Sequence, residues 1–262
     1  MRAIRTLGLA EVETLLGWAA VEGWNPGLHD APAFHAADPN GFFGAFVDDI
    51  MVAAIAAVAY DERFGFIGLY ICHPDWRGQG HGKAVWDAGM AYLGQRTIGL
   101  DGVPEQQANY ASMGFVPAYD TVRMSGTLVA EQSATVEPAS SNAIAPLDAR
   151  CFPAPRNAFL AQWTSPPNRT FGLGTGYAVL RQCRENFKIG PLFAPDAATA
   201  LELLKPIAGV VQIDVPAAQT AFLAALTAKG FAPSFATTRM YRGPAPGMDL
   251  ASVFGVTSLE LG

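Results

Sequence analysis

Between Ile71 and Gly82 the chain reads Ile-Cys-His-Pro-Asp-Trp-Arg-Gly-Gln-Gly-His-Gly. An apolar, strand-like run over 64–72 enters this stretch, and a helix-like run over 83–93 leaves it. A strand that turns through glycines into a helix presents free backbone N–H groups at a positive helix end. That arrangement suits a phosphate or pyrophosphate. Gly78, Gly80 and Gly82 keep side chains away from such an anion and supply positive φ where the turn needs it. Arg77 and Lys83 add charge. The glycines run G-x-G-x-G, not the G-x-G-x-x-G of a dinucleotide fingerprint. Gly82-Lys83 is followed by Ala84, so the stretch is not a P-loop either.

The elements that must hold this loop follow from periodicity and turn residues. Residues 4–7 read as a strand, and 8–21 carry apolar residues at a helical spacing, ended by Gly-Trp-Asn-Pro-Gly at 23–27. Asp30 is the candidate N-cap of a short second helix. Residues 41–47 and 50–60 form a hairpin across Asp48-Asp49, with 64–72 the next strand. After the loop and its helix come a strand at 97–100, a helix at 104–113 ended by Gly114, and one or two strands over 115–128. The order is β-α-α-β-β-β-α-β-α-β-β.

Arg77-x-x-Gly80-x-Gly82 after the fourth strand is similar to the pyrophosphate loop of the GNAT superfamily of acyl-CoA N-acyltransferases. The element order matches that family's fold. Tyr110-Ala-Ser-Met-Gly114-Phe115 resembles the Tyr-x-x-x-Gly-Phe that its members commonly carry. The resemblance covers residues 1–126 strongly and the rest more loosely. It implies an α/β (α+β) fold with a mixed, mostly antiparallel sheet flanked by helices. It implies acetyl-CoA as co-substrate, with the pantetheine arm against the backbone of Ile71, Cys72 and His73. The pyrophosphate would lie on Arg77, Gly78, Gln79, Gly80, His81, Gly82 and Lys83. Tyr110 would sit near the CoA sulfur as general acid. The activity implied is N-acetyl transfer to a primary amine by direct attack in a ternary complex. A longer acyl-CoA donor is a competing reading, and a CoA-sensing protein with an inactive site is another.

The acceptor side is less defined. Trp24, Asn25, Asp30, Tyr60, Tyr70 and Asp101 are the candidate substrate contacts, for a small-molecule or peptide amine. Asp30, Asp61, Glu62, Glu22, Asp101 and His29 are candidate general bases, with a water chain as an alternative. His73 is expected to pack at the strand end and His81 to be exposed at the helix start. Cys72 is expected to be an inert thiol.

Of 262 residues, 50% are hydrophobic and 15% charged, enough apolar material for a substantial core. Cys72, Cys151 and Cys183 form no close-spaced metal or redox pair, so no metal is expected. With no signal peptide recognised, the reading is a cytoplasmic protein with reduced thiols. The longest apolar run, 50–60, is too short to span a bilayer, and no membrane association is expected. Residues 1–130 hold 14 acidic and 7 basic residues, and 131–262 hold 9 and 10. With no basic face, nucleic acid is not an expected partner; the acidic first half favours a cationic substrate. A monomer or homodimer is expected.

The second half repeats the first. Residues 113–124 align without gaps on 229–240, sharing Gly, Phe, Pro, Thr, Arg and Met, with Tyr119 opposite Phe235. The expected organisation is a catalytic domain (1–130), a linker (131–141) and a degenerate GNAT-like domain (142–262). Leu226 stands opposite Tyr110, and the strand at 187–193 is followed by no glycine loop. The second half is therefore expected to keep the fold and wall the amine pocket without binding CoA. The residues 254–262 are expected to add a strand.

Overall fold

The computed structural model describes residues 1–131 and 136–262. The first half contains β1 (Arg2–Thr6), α1 (Leu9–Val21), α2 (Asp30–Ala37), β2 (Phe42–Val47), β3 (Ile50–Ala59) and β4 (Phe64–Cys72). After the loop come α3 (His81–Leu93), β5 (Thr97–Gly102), α4 (Pro104–Ser112) and a single long β6 (Val116–Leu128). The second half contains β7 (Glu137–Pro138), α5 (Ser141–Cys151), α6 (Asn157–Trp163), β8 (Arg169–Leu173), β9 (Gly176–Gln182) and β10 (Phe187–Phe193). It closes with α7 (Ala197–Leu204), β11 (Gly209–Pro216), α8 (Thr220–Ala228), β12 (Ala232–Arg242) and β13 (Val253–Gly255). Of the expected linker, 132–135 lie outside the described residues, 137–138 are already strand and 141 begins a helix.

Local chemistry explains most of these boundaries. Val12, Leu15, Leu16 and Ala19 line one stripe of α1 and are buried. Asp48 and Asp49 both take positive φ in the β2–β3 turn, the conformation a two-residue hairpin favours. Every residue from Val52 to Val58 is fully buried, so β3 reads as an unbroken apolar run covered on both faces. Ala54, Ala56 and Val58 face the core under α1 and α2, while Ile55 and Ala57 face the core under α3.

The halves share one sheet of thirteen strands. Twelve follow the order β1-β2-β3-β4-β5-β12-β6-β11-β10-β9-β8-β7, and β13 pairs with β10. Among the described residues only the β4–β5 and β10–β11 pairs are parallel. The two repeat-bearing strands have changed places: β12 pairs with β5 of the first half, and β6 pairs with β11 of the second. Where they meet each other, Thr121 lies opposite Thr237, its own repeat-mate. A pseudo-two-fold axis therefore passes through this pair. Arg123 forms a buried two-point ion pair with Asp214 (2.7 and 2.9 Å), and its mate Arg239 does the same with Asp101 (2.9 and 2.8 Å). Both pairs join one half to the other. Gly114 and Gly230 end α4 and α8 with φ near +89° and +88°, and Phe115 N–H and Phe231 N–H close the same cap onto Tyr110 and Leu226. The expected two GNAT-like sheets are thus present, fused edge to edge by strand exchange.

Candidate active site

β4 and β5 pair from Phe64 opposite Thr97 to Ile67 opposite Leu100, and no further. Beyond that point β4 carries a bulge: Ala54 faces Ile71 and Ala56 faces Gly68, leaving two residues of β4 against Ile55 alone. Leu69 takes φ 48° inside it. The bulge ends the β4–β5 pairing and, among the described residues, leaves the β5-facing side of Leu69–Ile71 without a strand partner. A cavity of about 700 Å³ opens in the resulting gap. Its first-half walls include Ile71, Cys72, Arg77, Tyr70 and Tyr110. Its second-half walls include Gln212, Phe235 and Glu260.

Pro74–Trp76 form a single 3-10 turn, and the glycine loop follows. Gly78 and Gly80 have φ of +77° and +79°, so the positive-φ role read from the sequence holds for these two. Gly82 lies inside α3, where a Cβ would stand 3.0 Å from the Tyr70 hydroxyl. No backbone carbonyl among the described residues accepts from the amides of 78–83. The Gly82 amide faces the Cys72 thiol; the other amides, beside two left-handed glycines at a helix start, form a nest that fits a diphosphate. The two cations are committed elsewhere. Arg77 Nε donates to the Cys72 carbonyl (3.0 Å) and its guanidinium pairs with Glu22, while Lys83 pairs with Asp87 (2.6 Å). His81 is buried with its ring edge against Trp76, not exposed as expected. His73 packs its ring on Trp18, as expected of strand-end packing. Burial pushes the Cys72 thiol up, against the effect of Arg77, which suits an inert thiol.

Tyr110 stacks on Trp86 (5.8 Å between centroids) and meets Phe115 edge-on, and its hydroxyl makes no hydrogen bond among the described residues. Burial, then the neighbouring Tyr70, pushes its pKa up to about 12. Of the acceptor-side candidates, Trp24, Tyr70 and Asp101 line the cavity. Asp101 has a wholly buried carboxylate bound by Arg239, so it is not free to act as a base. Asn25, Asp30 and Tyr60 lie away from the cavity and have packing roles instead. Asn25 takes φ 51° in the turn after α1 and donates to Asn186 (2.8 Å). Asp30 opens α2 without capping it; its carboxylate accepts from Gly27 N–H (2.8 Å) and pairs with buried Arg181. Tyr60 donates to the Leu261 carbonyl (2.9 Å) and packs on Phe152. Asp61 accepts from the amides of Arg63 and Phe64 in the turn before β4, and Glu22 is taken by Arg77.

The GNAT acetyltransferase family profile matches residues 9–116, and an acetyltransferase (GNAT) domain profile matches residues 144–255. Holothin acyltransferase of Pseudoalteromonas sp. (strain SANK 73390) is 31% identical over 97% of this chain and 92% of its own. The chain belongs to the GNAT acetyltransferase family. Among solved structures, a protein provisionally described as an acetyltransferase from Pyrococcus horikoshii superposes with a TM-score of 0.84 at 19% identity. The superposition covers 100% of this chain and 96% of that one. A tandem GNAT protein from the clavulanic acid biosynthesis pathway gives a TM-score of 0.63 at 15% identity, covering 94% and 100%. At those identities the two structures speak for the fold.

The second GNAT unit has a bulge of the same kind, one residue nearer the last parallel pair: Ile189 faces Leu180 and Leu192 faces Ala178, leaving Gly190 and Pro191 against one residue. Its gap is filled. β13 pairs with β10 there, and Val256 N–H bonds the Asp214 carbonyl of β11 (2.9 Å). The anion position at the start of α7 is also taken, because the Asp196 carboxylate caps it from Thr199 N–H (2.7 Å). The expected added strand is thus confined to 253–255, and it fills the gap that in the second unit corresponds to the open β4–β5 gap of the first. Beyond it the chain crosses from one half to the other. The carbonyls of Val256 and Thr257 lie against Gly190, and that of Glu260 lies against Gly68; each glycine is the first residue beyond its strand's last parallel pair. A Cβ on Gly68 would stand 1.8 Å from the Glu260 oxygen. Sequence reasoning missed Glu260 as a cavity residue. Nothing in its neighbours marks it, since its position depends on this crossing.

Proposed function

We propose that this GNAT-family acyltransferase is an acetyl-CoA-dependent N-acetyltransferase acting on a small primary amine, free or on a peptide. The reading rests on one arrangement. Unpaired β4 backbone, a nest of open amides and a cavity of about 700 Å³ meet in the first unit. Acetyl-CoA would supply the activated acyl group as a thioester. Leu69–Ile71 offer backbone partners for its amide-bearing arm, and residues 78–81 and 83 offer N–H groups for its diphosphate. Tyr110 offers a hydroxyl to the departing sulfur. Its pKa of about 12 lies well above the roughly 8.5 of a thiol, so it stabilises the thiolate by donating a hydrogen bond and does not surrender its proton outright. The raised Cys72 thiol favours direct transfer over an acyl-cysteine. Cys72, Cys151 and Cys183 are free, and we place the reaction in the cytoplasm on that ground.

The test is free-thiol release from acetyl-CoA against a panel of primary amines. The 31%-identical relative is named for holothin, so holothin belongs in that panel. Turnover with any amine supports the reading, and CoA binding without turnover on any of them points to a sensor. A longer acyl donor is the competing reading. Running the same panel with butyryl- and hexanoyl-CoA separates the two.

A further inference from the structure

Glu260 is buried, with 5% of its surface exposed, and it lines the cavity beside the β4 bulge. Its carbonyl is pressed on Gly68, the first β4 residue beyond the last β4–β5 pair. The residue is therefore fixed beside the β4 bulge, on the wall of the same cavity that Tyr110 lines. Among the described residues it takes part in no ion pair and accepts no hydrogen bond on its carboxylate. The charged groups in electrostatic reach are Asp101 on β5, Arg123 on β6, Arg181 on β9 and Lys188 on β10. The first three are committed: Asp101 to Arg239, Arg123 to Asp214 and Arg181 to Asp30. Lys188 Nζ donates to the Trp24 carbonyl (2.9 Å), and Glu260 is the foremost charge acting on it, although among the described residues the two are not within ion-pair distance. Glu22, the other carboxylate on the first-half wall, is held by Arg77.

A carboxylate on a cavity wall that holds no contact partner in the protein is open to a cation entering that cavity. We infer that Glu260 receives the ammonium group of the acceptor and takes its proton before acyl transfer. The inference rests on the acyl-transfer reading above and names the residue that reading lacks. The ammonium gives one proton to Glu260, and the nitrogen lone pair forms a C–N bond to the acyl carbon. The C–S bond breaks, and its electron pair leaves on sulfur, which accepts a hydrogen bond from Tyr110. The second N–H proton passes through solvent to the thiolate. Glu260 returns its proton to water, and one proton is released overall. A glutamate on a crossing segment of the second unit thus serves the donor site of the first.

The experiment uses the full chain with benzylamine and aniline within the amine panel. These are primary amines of similar size; benzylamine is cationic at neutral pH and aniline is not. Glu260→Gln preserves shape and removes the charge. It is expected to keep the melting temperature and the calorimetric Kd for CoA, because no hydrogen bond depends on it. It should lower kcat/KM for benzylamine by about 10²–10⁴-fold, the usual range for a lost general base, and for aniline by much less. Glu260→Asp should recover part of the benzylamine activity. Wild-type kcat/KM for benzylamine in Glu260→Gln overturns the inference and leaves acyl transfer standing. So does an equal fall in CoA affinity and melting temperature, which marks a packing role. A wild-type chain that binds CoA and acetylates nothing in the panel overturns the acyl-transfer reading, and the inference falls with it.

Discussion

At the scale of residues, Tyr110 and Gly80 separate function from packing. Tyr110→Phe keeps the stack on Trp86 and removes only the hydroxyl. Loss of a hydrogen bond to a developing thiolate is expected to lower kcat by about 10²-fold, at the lower end of proton-transfer assistance, without changing acetyl-CoA affinity. An unchanged kcat would leave Tyr110 as a packing residue. Gly80→Val places a β-branched residue at φ +79° beside the open amides. Calorimetric titration should show acetyl-CoA affinity reduced at least about tenfold, the scale of one lost charge-assisted hydrogen bond. Undiminished affinity would remove this loop from the CoA site. Gly82 gives a less direct test, because a side chain there first meets Tyr70. Three groups also make a pH prediction. Burial pushes Tyr92, Tyr110 and Cys151 each up to about 12, from usual values of 10.0, 10.0 and 9.0. The folded chain holds these protons where the unfolded chain releases them. Their contribution is complete below pH 9 and is lost as the pH rises toward 12, which urea midpoints measured from pH 8 to 11 would register. The glycine loop was legible because its chemistry is local. The fates of Asp30 and Asp101 were not, because they are set by arginines 151 and 138 positions away.

At the scale of elements, the repeat was legible and the exchange of β6 and β12 was not. The apolar pattern of either strand suits a neighbour in its own half as well as one in the other, so periodicity alone does not choose. What identifies the exchange is the pair of matching ion bridges, each running from a repeat strand to an aspartate of the opposite half. Their aromatic settings match too: Arg123 lies over Phe235 (5.3 Å) and Arg239 over Tyr119 (5.6 Å). Arg239→Met leaves Asp101 buried without its partner, which typically costs about 3–5 kcal/mol. The double variant Arg239→Met/Asp101→Leu removes both charges and should regain most of that loss. Urea denaturation of the two variants tests this. Equal destabilisation would mean that Arg239 acts through packing on Phe66 and Tyr119, not through the carboxylate.

At the scale of the molecule, duplication has given two copies of one cleft and the chain itself has closed one. The missing glycines and the Leu226 opposite Tyr110 were readable in the sequence. The filling of the second cleft by β13 was not, because an alternating run does not say which gap it enters. Acetyl-CoA is therefore expected to bind with one equivalent per chain, at Ile71–Lys83, and two equivalents by titration would contradict the closed second cleft. The halves are also less separable than the linker suggests. Deleting 137–262 removes β12 from between β5 and β6 and exposes both as unpaired edges. It also strips α6 from α2, where Phe34 stacks on Trp163 (5.7 Å), and opens the core that the two share. Such a fragment presents edges and an apolar face together, the combination that drives aggregation. It is expected to be insoluble or oligomeric, with CoA affinity and acceptor turnover both lost. Size-exclusion chromatography and titration of the fragment decide the point. A monomeric, CoA-binding first half would mean that β6 can fold back beside β5, and that the strand exchange is a consequence of the second half's presence and no condition of the first half's fold.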